Sequence, residues 1–450
     1  MPVRPAPLTL SLLLFAAGAV LAQGKPAAKP AARPAAKSAA QPAIQQQVKP
    51  PVAQAWIDLL THQSDLPGMA GAVGQMMSGG GMPSLGQLFG KGDDTRGNVF
   101  GQTQGGFGFA GSGQYMDSAV YTRANKGLAE AVQAVPGGSL LAPSLQLVAP
   151  PPERPAEPIP EHEEDDPREP SYEKPKGKLL LYWGCGERVR EGQPRVLDFA
   201  NMNLADVQAI MVARGSTPKG ARSQPGVPAW PNKPDDRKVP PGSRMAGENG
   251  FSGQGIPEGF RFQIRPEVDF MPAIALQRGP LPSGATLLRW GAVGPARAYF
   301  ISAMGGKSGR DDGAEMVMWS SSELPDTGFA LHDYLSPGGI ERLLKDKVLL
   351  APDILECAMP AGVFGDGQRG EGGGMLRMMA YGPEQWVAHP PRPTDPKVSW
   401  APDWSARVRT KSSYFGMLGM PGADASETEA PKEEAKKPGF GDVLKGLFGR

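Results

Sequence analysis

The chain is poor in the residues that build metal and redox sites. It has two cysteines and four histidines in 450 residues. Cys185 and Cys357 are far apart, so there is no C-x-x-C pair to carry thioredoxin-like redox chemistry. His62, His162, His332 and His389 are scattered and have no metal-ligand spacing. Neither sign of charge dominates: the formal net charge is +1. Composition therefore gives no argument for nucleic acid as a partner. Beyond the first 22 residues no apolar run approaches the roughly 18 needed to span a bilayer, so no transmembrane helix is predicted in the mature chain. No cofactor and no metal are predicted.

Glycine and proline are abundant and clustered. Residues 1–22 read as a secretory signal: Arg4, an apolar run from Leu8 to Leu21, and a cleavable end at Val20-Leu21-Ala22, leaving Gln23 as the mature N-terminus. Residues 23–51 form an Ala/Pro/Lys linker, too poor in apolar area to pack. Residues 52–149 are a Gly/Met-rich region in which short helices are predicted. Ala53, Trp56, Ile57 and Leu60 recur at helical spacing over 52–61, and a second helical face is read over 116–135. Leu140 to Val148 reads as a short strand or a docking segment. The stretch from Leu66 to Gly92 is a candidate for self-association through soft methionine contacts. Its Met69, Met76, Met77 and Met82 lack a regular copper-ligand pattern. Residues 150–175 are a Pro-rich and acidic linker, where self-repulsion favours an extended chain.

From Lys178 the pattern changes. Leu179 to Trp183 reads as a buried strand ending in a glycine turn. Further strands are predicted at 196–199, 260–264, 285–290, 296–304, 315–320, 354–357, 374–381, 386–387 and 406–417. One helix is predicted over 338–350, with Ile340, Leu343 and Leu344 facing inward. Short runs separated by glycine and proline point to antiparallel layers rather than βαβ units. Leu288-Arg289-Trp290 followed by Gly294-Pro295-Ala296-Arg297-Ala298-Tyr299-Phe300-Ile301 resembles the second-to-third strand pattern of fibronectin type III modules. The resemblance covers that stretch alone, and implies that Trp290 and Tyr299 are core residues of a binding or spacer module. The predicted fold is mainly β: an antiparallel immunoglobulin/fibronectin-III-like sandwich region with flexible low-complexity extensions at both ends. The domain reading is a first sandwich over 176–330 and a second, or a continuation of the first, over 331–420. A charged linker and a short docking helix follow over 421–450.

Candidate chemistry is sparse. His332 beside Asp333 could be a base and its orienter, but neighbours on a strand point to opposite faces. The Gly305-Gly306-Lys307-Ser308 turn lacks the first glycine of a phosphate loop. Ser320-Ser321-Ser322 lacks a glycine-flanked elbow. Asp311, Asp312 and Glu315 read more simply as a solvated hairpin than as a sugar-cleaving pair. The candidate binding residues are Trp230, Trp386, Trp400 and Trp404, which lie near proline-rich loops, and Phe440, Leu444 and Leu447 on the terminal docking face. Cys185 and Cys357 could pair, as an exported chain permits, or remain separate thiols.

These features predict a non-enzymatic exported protein. It would be periplasmic or secreted, or peripheral to the outer membrane, and would bind another envelope protein or a surface polysaccharide. The alternative is a secreted carbohydrate-active or hydrolytic enzyme with an acidic site that sequence spacing does not reveal.

Overall fold

The computed structural model describes residues 46–65, 97–104, 111–141, 143–152, 177–201, 203, 205, 207–208, 212–308, 314–365 and 373–419. These residues are mainly β. A 13-stranded sheet and a three-stranded sheet hold most of the regular structure.

The strands are β1 (Ala53–Ser64), β2 (Gly113–Thr122), β3 (Glu130–Ala134), β4 (Ser144–Val148), β5 (Lys178–Trp183), β6 (Arg195–Asp198), β7 (Ala229–Trp230) and β8 (Gly247–Ser252). They continue with β9 (Arg261–Ile264), β10 (Leu276–Pro280), β11 (Thr286–Trp290), β12 (Ala298–Ser308), β13 (Ala314–Ser320), β14 (Glu356–Met359), β15 (Gly374–His389) and β16 (Trp404–Leu418). The large sheet runs β6-β5-β13-β12-β15-β16-β1-β2-β7-β4-β3-β8-β9, and the small one β10-β11-β14. In the large sheet β1 lies parallel to β16 and β5 parallel to β13. Strands from 176–330 and from 331–420 therefore interleave in one sheet. The predicted helix is present as α1 (Pro337–Lys345), with Pro337 at its first turn and Ser336 capping it through Gly339 N. Among the described residues no helix is long and apolar enough to cross a membrane.

Two helical expectations are overturned. The stretch 52–61 lies within strand β1, and 116–135 divides into strand β2, a turn and strand β3. The helical spacing of Ala53, Trp56, Ile57 and Leu60 is incidental. β1 is covered on both faces, so its apolar residues do not alternate cleanly with polar ones, and such a run cannot be told from a helix by periodicity alone. Tertiary pairing decides between them, and β1 is held between β16 and β2 along nearly its whole length.

The apolar core falls into two main clusters. One gathers Ile57, Leu59, Val120, Leu145, Phe260 and Val408. Here the sheet curls over: the Phe260 ring stacks on Trp404, centroids 4.6 Å apart. At the same place the Gln385 amide donates to Gln263 O at 2.6 Å and its carbonyl accepts from Arg265 N at 3.0 Å. A side chain of β15 thus satisfies backbone groups at β9, which would otherwise end the sheet as an open edge. The second cluster lies between the other half of the sheet and β10-β11-β14, around Leu288, Trp290, Tyr299, Ile301 and Leu376. Trp290 meets Tyr299 edge-on at 5.6 Å, so both are core residues. Cys185, just past β5, is disulfide-bonded to Cys357 on β14, with Cα atoms 5.2 Å apart. The bond ties the small sheet to the large one. Closing a loop of 172 residues is worth about 5 kcal/mol in the chain-entropy account.

Candidate functional site

One face of the central strands carries the unusual chemistry. β1 and β16 pair in parallel so that Trp56 lies beside Arg407, Asp58 beside Arg409, Leu60 beside Lys411 and His62 beside Ser413. On the other side of β1, Asp117 of β2 lies opposite Asp58. Strand alternation therefore collects these side chains on one face, while Ile57, Leu59 and Val408 point into the apolar core. The charged face is nevertheless buried: Asp58, Asp117, Arg409 and Lys411 are each 3% exposed or less. A buried charge is tolerable only when paired and hydrogen-bonded.

The partners come from three irregular segments laid across the sheet. Arg409 grips Asp58 with two nitrogens, Nε to Oδ1 at 2.5 Å and Nη2 to Oδ2 at 2.8 Å. Its third nitrogen, Nη1, donates to Pro218 O at 2.8 Å. Asp58 Oδ2 also accepts from Ala221 N at 3.1 Å. Between those two contacts sits Gly220, where a Cβ would fall 1.7 Å from Arg409 Nη2, so only glycine fits. Arg407 Nη1 donates to Lys219 O at 3.1 Å, and its Nη2 pairs with Glu384 at 2.6 Å. The second segment is held by Asp117, which accepts from Gly101 N at 3.0 Å, from Thr103 N at 3.2 Å and from the Thr103 hydroxyl. Burial pushes the Asp117 carboxyl up to about 7; hydrogen bonds from Thr103 and Gly101 oppose this, and the neighbouring Asp58 charge adds to it.

The third segment runs from Asp326 to Leu335. Tyr334 slides its ring beside both cations, 4.1 Å from the Arg409 guanidinium carbon and 4.3 Å from Lys411 Nζ, and donates its hydroxyl to Leu59 O at 2.9 Å. Lys411 Nζ reaches Asp333 Oδ1 at 3.1 Å and His332 O at 3.4 Å. Burial pulls the lysine down, and Asp333 only partly offsets it. The same burial works against the Asp333 carboxylate, yet Lys411 holds it below its ordinary value.

His332 and Asp333 are not a catalytic pair. Asp333 turns to Lys411, while His332 Nε2 lies 2.8 Å from Ser302 Oγ on β12. Burial, with help from the Arg377 and Lys411 charges, depresses the imidazole to about 3. It is neutral near pH 7 and can exchange a hydrogen bond with the hydroxyl. It is a weak base, and no carboxylate among the described residues is hydrogen-bonded to its other nitrogen.

The sheet face opens at its β15 end. Gly382 sits at a bulge between Tyr381 and Glu384, where a Cβ would meet Met271 Sδ at 2.5 Å. Beyond the bulge Trp386 pairs across from Arg407 and stands 49% exposed. Its ring meets Trp400 edge-on, centroids 5.6 Å apart. Trp400 is buried, donates its indole N–H to Pro390 O at 3.0 Å, and lies under Arg392 at 5.6 Å.

Of the tryptophans singled out from sequence, Trp386 alone is exposed. Trp230 is fully buried in β7, and Trp404 is stacked between Phe260 and His389. Phe440, Leu444 and Leu447 lie outside the described residues, as do Met69, Met76, Met77 and Met82. Asp58, Asp117, Arg409 and Lys411 were not singled out. For Arg409 and Lys411 the sequence signal is charge at alternate positions in a strand-like run, which ordinarily marks a solvated face; Asp58 and Asp117 lie in stretches whose spacing reads as helical. Among the described residues no cluster of His, Cys, Asp and Glu could hold a metal ion. What fold and site define is a mainly β protein with a sealed ionic layer and an open aromatic corner. Comparison with protein-family models, with curated proteins and with solved structures found no match.

Proposed function

We propose that this is a non-enzymatic exported protein of the cell envelope, which binds another envelope protein or a surface polymer through the corner at Trp386. The observation that carries the reading is the contrast among the four tryptophans near proline-rich sequence: Trp230, Trp400 and Trp404 are buried, whereas Trp386, on β15, is held half-open by packing on Trp400. A large amphipathic ring fixed in place is a low-entropy binding element. Export is supported by the leading apolar segment and by the Cys185–Cys357 bond, since disulfides persist in oxidising compartments. The buried Trp290–Tyr299 contact agrees with the core role that the fibronectin type III resemblance implies for those two residues.

The test has two arms. Fractionation and mass measurement should find the chain outside the cytoplasm, beginning at Gln23 and with its cysteines oxidised. The purified protein should co-sediment with isolated envelopes, and Trp386→Ala should abolish this while its circular dichroism spectrum stays unchanged. A cytoplasmic, reduced protein, or one whose envelope binding ignores Trp386, would sink the proposal.

A second reading, a hydrolase, is favoured by the Ser302–His332 hydrogen bond. It requires Ser302, 6% exposed, to act as nucleophile. A fluorophosphonate probe decides: labelling lost in Ser302→Ala supports the enzyme, and no labelling of the folded protein excludes serine acyl transfer.

A further inference from the structure

We infer that the ligand of the Trp386 corner is an acidic polysaccharide; this rests on the envelope-binding reading and narrows it to one occupant. The first observation is which aromatic face is free. Arg392 already covers Trp400, and Trp400 braces Trp386 from the side, so the open face belongs to Trp386. An indole so placed suits the C–H face of a sugar ring.

The second observation is charge. Arg392, Lys397 and Lys49 are exposed around the corner, and neither lysine is paired with a carboxylate among the described residues. Lys49 is held there by the main chain: Lys49 N donates to Trp400 O at 2.8 Å, and Trp400 N donates to Gln47 O at 2.9 Å. Gln46 adds a bond from Nε2 to Val398 O at 2.9 Å and accepts from Arg392 Nε at 2.7 Å. Exposed Asp395 and Asp403 offset part of this charge.

The third is the sequence that leads into this corner. From Met1 to Ile57 there is no aspartate or glutamate, while Arg4, Lys25, Lys29, Arg33, Lys37 and Lys49 are present. Residues 23–57 keep Lys25, Lys29, Arg33, Lys37 and Lys49 and contain no acidic residue. Repeating negative charge on a polymer fits an aromatic ring flanked by the exposed Lys49, Arg392 and Lys397. The apolar surface is too modest for lipid insertion: Val48, Val398 and Trp386 are each about half exposed, and membrane binding of this kind scales with buried apolar area.

The experiment titrates the purified mature chain with polygalacturonate, following tryptophan fluorescence and calorimetric heat. Dextran serves as the neutral polymer, and vesicles of phosphatidylglycerol and phosphatidylcholine as the anionic lipid surface. The expected result is saturable binding of polygalacturonate that weakens as salt rises, with no binding of dextran. Trp386→Ala should weaken it about tenfold, and Lys49→Glu with Lys397→Glu should do likewise in a protein of unchanged circular dichroism. Equal affinity in wild type and Trp386→Ala, equal binding of dextran, or binding of the vesicles but not of polygalacturonate would each overturn the inference. If polygalacturonate is ignored but isolated envelopes are bound through Trp386, the polysaccharide assignment falls and the envelope reading stands. If neither is bound, both fall.

Discussion

The same sheet face is closed at Arg409 and open at Trp386, and the two ends use opposite physics. At the closed end three chain segments cross the strands, and every charge has a partner: Asp58 with Arg409, Asp333 with Lys411, Asp117 with Thr103 and Gly101. At the open end Arg407 is still paired with Glu384 and Lys219 O, but the next residue across, Trp386, braced by Trp400, stands half exposed among the described residues. A polar residue pattern does not reveal whether a face is wet. Loop coverage does, and coverage also separates stability from binding. The sealed end buries its ion pairs; the open end leaves Trp386 half exposed.

The largest expected effect is at the sealed end. Arg409→Met should cost about 3–5 kcal/mol, because it leaves the Asp58 carboxylate buried and alone. Urea unfolding measures this, and the double variant Asp58→Leu with Arg409→Met should recover most of the loss. If the single variant is as stable as wild type, the layer is not sealed.

The apolar side of the same strand is next. Leu59→Ala should cost about 3 kcal/mol by cavity formation, with no dependence on pH. A cost under about 1 kcal/mol would mean that the face collapses on itself.

Asp117 sharpens the contrast through pH. Its folded carboxyl titrates near 7, above the ordinary value of 3.8, so the folded state holds a proton that the unfolded chain has released. Its contribution is fully present below pH 4 and is lost as pH rises through 7. Asp117→Asn should remove this part of the slope, leaving the variant relatively more stable at pH 8 than at pH 5. Parallel stability profiles for the two proteins would refute the assignment.

The smallest effect is at the open end. Trp386→Ala should change stability by about 0.5 kcal/mol or less while removing envelope binding. A large loss of stability would place Trp386 with the sealed layer.

Much of this contrast was invisible in the chain. His332 and Asp333 drew notice as neighbours, yet their side chains serve different partners, Ser302 and Lys411. Arg409 and Lys411 lie in an alternating run that reads as a half-wet strand. Asp58 lies in a stretch whose apolar spacing reads as helical because the strand is buried on both sides. The four loop tryptophans read alike in sequence, and only packing separated Trp386 from the other three.

The sequence by itself determined the local elements whose signal lies within a few residues. These are the strands after Lys178, such as β5, β11 and β13, the capped helix α1, and two cysteines with no third to compete. Only the tertiary structure decided that β1 lies parallel to β16, across a separation of 351 residues, and that Cys185 meets Cys357. It alone decided that residues 214–222 and 326–335 roof the charges. The reason is range. Patterning and capping act between neighbours in the chain, whereas strand register, ion pairing and burial are contacts between residues that meet only once the sheet has formed.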